Sequence, residues 1–234
     1  MTSMEITRHH LQDNERINME QEADWVECMT LGWVSKNNVY HIYCHPLMTE
    51  QIEVLTIRER SPLFCRLGCI LPRCRSFLVT VLAANNEEMW FIYDKPFGVP
   101  FLCWNRPAFK VYDHDETSIG SIQSVCNFWG IRMLIMDESG LPIYEIQGTM
   151  VTPGFCCEPI CGSCFPLTFK ILDLRKDGYE LAKFKKNSMG CFTDWVMNAD
   201  RYDLEIPSII SYHERVLLLV AIHEIDMMYF ERKL

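Results

Sequence analysis

MLIMDESGLPIYEIQ, residues 133–147, runs as apolar and polar residues in alternation, a short polar turn, and a second alternating run. Successive side chains of an extended strand point to opposite faces, so each run can give one face to a core and one to water. The same plan recurs twice nearby. FKVYDHDETSIGSIQ begins at Phe109 and FKILDLRKDGYELAKFKK at Phe169, and each carries an aspartate and a glycine around its turn. Glycines 120, 140 and 178 are read as supplying turn conformations that cost other residues energy. This is an internal repeat of hairpins, not of helical solenoid units.

Working outward, FLVTVLAANNEEMWFIYDKP (77–96) places two β-rich runs on either side of Asn85 and Asn86. Further upstream, Trp25–Trp33 and Val39–Tyr43 flank the polar turn SKNN. At the other end, His213 to Phe230 reads as a helix that is apolar on nearly all sides, as expected of a segment enclosed by protein. Hairpins that end in such a helix fit one solution to the exposed-edge problem: the sheet closes and the helix fills it. Glu224 and Asp226 must then find partners or sit near a mouth, because an unpaired buried carboxylate is costly.

The chain has 234 residues, 49% hydrophobic and 23% charged, enough to fold and bury a sizeable core. Its net charge of −9 argues against tight binding to DNA or RNA, and against attraction to anionic lipid unless calcium bridges the two negative surfaces. Residues 1–22 are polar and charged and read as a mobile tail in which a short helix can form, without a secretory signal, which leaves 23–234 as the folded domain. With a reducing compartment expected, the twelve cysteines read as thiols, metal ligands or acylated residues before disulfides. VLLLVAI (216–222) falls well short of the roughly 20 apolar residues of a transmembrane helix.

The order of DWVECMTLGWVSKNNVYHIY (24–43), SPLFCRLGCILPRCRSFLVTVLAANNEE (61–88), CCEPICGSCFPLTFKILD (156–173), DWVMNADRYDLEIP (194–207) and AIHEIDMMYFE (221–231) resembles the phospholipid scramblase family, within the tubby-like barrels. The resemblance implies a mainly β fold: a closed antiparallel barrel of about twelve strands around a central hydrophobic C-terminal helix. It also implies a phospholipid membrane as partner, at the cytoplasmic face of the plasma membrane, with a cytosolic fraction as the alternative. The implied activity is calcium-triggered, ATP-independent, bidirectional movement of phospholipids between leaflets. The alternative reading is a soluble tubby-like barrel that binds a lipid head group or a protein partner without transport. The chain departs from the family in lacking a long proline-rich N-terminal segment and a dense palmitoylated cysteine run. Cys103, in KPFGVPFLCWNRPAF, is the remaining lipidation candidate.

TDWVMNADRYDLEIPSI (193–209) is the calcium candidate, with Asn198, Asp200, Asp203 and Glu205 as ligands. Calcium prefers about six to eight oxygens, several from carboxylates on a short loop. Tyr202, Leu204 and Ile206 alternate with the acids, so Asp203 and Glu205 should lie on the wet face of a strand, with Asn198 and Asp200 in the turn before it. Cys156, Cys157, Cys161 and Cys164, spaced C-C-x3-C-x2-C, form a zinc or iron–sulfur candidate, with acylation or free turn thiols as the alternative. LAKFKKNSMG (181–190) is the one concentrated basic stretch and reads as the exposed side of a strand. His41 and His45 read as surface residues, and His213 and His223 as core histidines of the last helix. No motif for covalent catalysis is present: no nucleophile elbow and no phosphate-binding glycine loop.

Overall fold

The computed structural model describes residues 3–22, 37–46, 50–60, 77–83, 88–95, 108–127, 129–149, 166–187 and 200–230. Helix α1 (Ser3–Asp13) is followed by twelve strands: β1 (Arg16–Gln21), β2 (Val39–Cys44), β3 (Ile52–Arg60), β4 (Phe77–Ala83), β5 (Glu88–Lys95), β6 (Ala108–Tyr112), β7 (Ser118–Val125), β8 (Gly130–Asp137), β9 (Pro142–Thr149), β10 (Leu167–Asp173), β11 (Tyr179–Asn187) and β12 (Arg201–Glu205). Helix α2 (Tyr212–Ile225) runs on into a π-helical turn, Asp226–Phe230. All pairings are antiparallel between sequence neighbours from β2 to β12, and β1 pairs with both β2 and β12. The fold is therefore mainly β with a C-terminal helix. The Trp25–Trp33 run lies outside the described residues.

The three repeated segments are hairpins, β6–β7, β8–β9 and β10–β11. In the second, the Asp137 carboxylate accepts from the backbone N–H groups of Ser139 and Leu141, both at 2.9 Å, and Gly140 takes a φ of 81°. In the third, Asp173 accepts from the Arg175 N–H at 3.0 Å, and Gly178 has a φ of 75°. The aspartate and glycine of the repeat thus fold the turn together: a short acidic side chain replaces a backbone acceptor, and glycine takes the left-handed position.

Gly120 has another role. It lies inside β7, opposite Val111 on one side and Asp137 on the other, not in a turn. A β-carbon there would stand 2.5 Å from the Met136 carbonyl oxygen and 2.8 Å from Leu217 Cδ1 of α2. Its small size, and not a turn, is what the position needs. Gly120→Ala is expected to cost about 1–3 kcal/mol by overpacking. Gly140→Ala meets nothing within 4 Å and is expected to cost only about 1 kcal/mol, for the positive φ. Urea unfolding of the two variants checks the order.

Residues 1–22, expected as a mobile tail, are instead part of the folded domain from Ser3 onward. Leu11 of α1 and Ile17 and Met19 of β1 are buried, and β1 fills the place between β2 and β12. Without it both neighbours would present an unpaired edge. A few well-spaced apolar residues suffice to seat the segment, and its polar majority hides them in the composition.

Helix α2 is buried continuously from Arg215 to Ile225. Ser211 caps it: the Ser211 hydroxyl accepts from the Glu214 N–H at 3.4 Å, and the Glu214 carboxylate accepts from the Ser211 N–H at 3.3 Å. Leucine, valine and isoleucine on every side of this helix reach the inward rows of the strands, such as Ile131, Met133 and Ile135 of β8. Burial of that kind is the main favourable term available to the fold.

Candidate functional site

Strand alternation decides the fate of the 193–209 stretch. Asn198 lies outside the described residues. Asp200, Tyr202 and Leu204 are buried, whereas Arg201 and Asp203 are half-buried and Glu205 is exposed. Asp203 and Glu205 thus share the outer face of β12, as expected, and Asp200 turns the other way. The outer Asp203 carboxylate accepts from the Asn187 side chain and lies 3.5 Å from Arg201 Nε. The structure does not bring Asp200 together with Asp203 and Glu205.

Inside, Asp200 meets Lys186. The Lys186 ammonium donates to Asp200 Oδ2 at 2.8 Å, and its side chain is only 1% exposed. The same Nζ lies 3.9 Å from Asp226 Oδ1 and 3.9 Å from the centre of the Phe230 ring. LAKFKK was read as an exposed strand face, and for Lys183 and Lys185 it is one. Lys186 corrects that reading. Strand period places Ala182, Phe184 and Lys186 on the inner face, so two adjacent lysines necessarily point to opposite sides.

Asp226, the first residue of the π turn, is buried and takes two phenol donors. Tyr40 of β2 donates to Oδ2 at 2.5 Å, and Tyr202 of β12 donates to Oδ1. Close by, Asn38 donates to Glu59 Oε2 at 3.0 Å, and Gln21 donates to Asn38 Oδ1 at 3.2 Å. His223 lies edge-on to Tyr40 with ring centres 4.7 Å apart. A polar cluster therefore joins β1, β2, β3, β11, β12 and the end of the helix inside an apolar wall. The partners that Asp226 required exist, and two of them are tyrosines: Tyr202, read from the sequence only as a buried strand residue, and Tyr40 of the Val39–Tyr43 run.

One lysine serves two carboxyl groups here. Burial, and then the neighbouring Asp200 carboxylate, push the Asp226 pKa well above the usual carboxylate range, against the opposing pull of Lys186. Tyr202 is also pushed up, by burial first and then by Asp226. Raised in the folded state, Asp226 favours folding most below the ordinary carboxylate pKa. That contribution is lost as pH rises from there through the folded value. Asp226→Asn keeps a neutral polar group in place, so its stability is expected to fall less than that of the wild type between pH 4 and pH 8. Urea midpoints across that range measure the difference, and parallel curves would remove Asp226 from the account.

The hairpin turns carry a second, more exposed network. Arg175 NH1 donates to Glu214 Oε1 at 2.6 Å, Tyr144 OH donates to Glu214 Oε2 at 2.9 Å, and Arg175 Nε lies 3.2 Å from Asp173. It ties two of the repeated turns to the N-terminus of α2, where a carboxylate also suits the helix dipole.

The remaining candidates divide simply. Cys103, Cys156, Cys157, Cys161 and Cys164 lie outside the described residues. Cys44 is a buried free thiol whose pKa burial pushes up to about 12, which makes it a poor nucleophile or ligand. Cys126, just after β7, is disulfide-bonded, the state that the sequence reading ranks below thiols, metal ligands and acylated residues. His41 is partly exposed and contacts Glu53 Oε1 at 2.7 Å; His213 is exposed and His223 is in the core. Among the described residues no group of three or more His, Cys, Asp or Glu side chains is placed to hold a metal ion. None of their helices is long and apolar enough to cross a membrane.

An antiparallel sheet of hairpins with a buried hydrophobic C-terminal helix and an internal Lys–Asp pair defines a β-rich protein whose helix is part of its own core. The chain matches the family model described as Scramblase over residues 1–232, and it belongs to that family. The match includes the N-terminal segment that α1 and β1 build into the fold. No solved structure matches the chain.

Proposed function

We propose that this protein acts at phospholipid membranes as a scramblase, allowing phospholipids to move in both directions between leaflets without ATP. The observation that carries this reading is membership of the Scramblase family across residues 1–232. The pairing of β1 with both β2 and β12 supports a working form in which the strands make a closed, tubby-like barrel around α2. Calcium is the proposed trigger. At Asp200 it would have to compete with the Lys186 ammonium 2.8 Å away, whereas Asp203 and Glu205 face outward. The cytoplasmic face of the plasma membrane is the proposed location, with Cys103 as an acylation site. A single acyl chain gives only marginal, reversible attachment.

The test is reconstitution of the full chain into liposomes that carry a fluorescent phospholipid, with chemical bleaching of the outer leaflet. Complete bleaching in calcium, and slower loss with a chelator, is the expected result. Flip rates equal to those of empty liposomes in both conditions would overturn transport. If the chain still floated with the vesicles, the barrel would be a lipid-binding module instead.

A further inference from the structure

The outer wall of β11, β12 and β1 carries a charge pattern that the inner cluster does not use. Arg16, Glu205 and Lys183 stand side by side in one row across these strands. Lys183 is held by Glu180 at 2.8 Å. Arg16 and Glu205 are both exposed and of opposite sign, yet neither makes an ion pair among the described residues. Together they line two adjoining grooves of about 460 Å³ and 350 Å³. Glu15 adds a further carboxylate to the larger groove, whose apolar lining comes from the half-buried Leu181 and Pro207.

From this we propose that the grooves form a binding site for a zwitterionic phospholipid head group, with the phosphate on Arg16 and the amine on Glu205 and Glu15. Adjacent strands lie about 4.8 Å apart, a separation that the short ethylene bridge of phosphocholine or phosphoethanolamine can match. A simple anion would leave Glu205 facing it, and a simple cation would face Arg16; only a ligand carrying both charges satisfies the row. The apolar wall favours a lipid over a free head group. Two large exposed side chains strengthen that choice. Tyr179, 66% exposed, immediately precedes the groove residue Glu180, and Ile209, 80% exposed, follows Pro207 by two positions. Apolar groups beside a head-group site are placed to enter the bilayer interface from which the lipid comes.

The site rests on the phospholipid reading of function but can fail separately from it. The probes are monomeric short-chain phosphatidylcholine, phosphocholine, inorganic phosphate and phosphatidylcholine vesicles, each with the full chain. Arg16→Gln and Glu205→Gln are expected to weaken short-chain phosphatidylcholine about tenfold each, the loss of one charge-assisted contact, with unfolding midpoints unchanged. Ile209→Asp should weaken vesicle binding while leaving phosphocholine binding intact. Undiminished lipid binding by both glutamine variants overturns the site. So does displacement of the lipid by inorganic phosphate as effective as that by phosphocholine, which would mark an anion site only. Should lipid binding depend on Arg16 and Glu205 while flip rates stay at background, transport is lost and the site stands. Active flipping with no effect of either variant on binding has the opposite meaning.

Discussion

Lys186→Met is expected to destabilise the protein by about 3–5 kcal/mol at neutral pH, because it leaves the Asp200 carboxylate buried without its cation. Domains are stable by only about 5–15 kcal/mol, so this is a large share of the whole. The cause is specific. Lys186 and Asp200 are both buried, with Nζ and Oδ2 2.8 Å apart. Removing one partner strands the other, whereas removing both leaves only Asp226, which keeps Tyr40 and Tyr202 as donors. The double variant Lys186→Met/Asp200→Asn should therefore recover most of the loss. Urea unfolding of the three proteins at pH 7.5 measures both effects. A single variant within 1 kcal/mol of wild type would mean that water, and not Lys186, solvates Asp200.

The same residue marks how far the sequence could be read. Hairpins were legible because alternation and turn chemistry repeat three times in FKVYDHDETSIGSIQ, MLIMDESGLPIYEIQ and FKILDLRKDGYELAKFKK. The final helix was legible because its apolar run is unbroken from Val216 to Ile222. Its start could have been placed at Ser211 by the S-x-x-E pattern of Ser211 and Glu214. Lys186 was less visible, since KK reads as surface until the strand period is applied to Ala182 and Phe184 on the inward side. Tyr40 and Tyr202 had no local signal at all: a phenol on an inward strand position looks like core, and only the pairing of β1 with β2 and β12 brings both to Asp226. The N-terminal segment was misread for a related reason. Its stability comes from partners about two hundred residues away, which composition does not register.

Those partners converge on Arg215, whose replacement is the other large effect expected. Arg215 is entirely buried in the first turn of α2, and among the described residues it makes no ion pair; burial holds its pKa below the usual arginine value, against the weaker opposing pull of Cys44, Glu15 and Asp13. Its guanidinium donates to four carbonyl oxygens: Leu11 at 2.9 Å, Asn14 at 2.6 Å, Pro207 at 2.8 Å and, through Nε, Ile210 at 3.3 Å. Leu11 and Asn14 lie at the end of α1, where helix carbonyls lack partners of their own. Pro207 and Ile210 lie in the link from β12 to α2. Gln12 of α1 returns the contact by donating to Ile210 O at 2.8 Å. Arg215→Met removes all five N–H donors from one place and leaves the carbonyls unsatisfied, a loss of about 3–5 kcal/mol. The effect should begin locally. Amide hydrogens of α1 should exchange faster than those of β8 and β9, and a protease should cut near Asn14 before the sheet opens. Arg215→Lys retains the charge but has three donors on a single nitrogen, which cannot span acceptors on two separate segments, so most of the local opening should persist. If α1 in Arg215→Met stays as protected as β8, the helix is held by Leu11 and its apolar contacts, and the arginine is not its clamp.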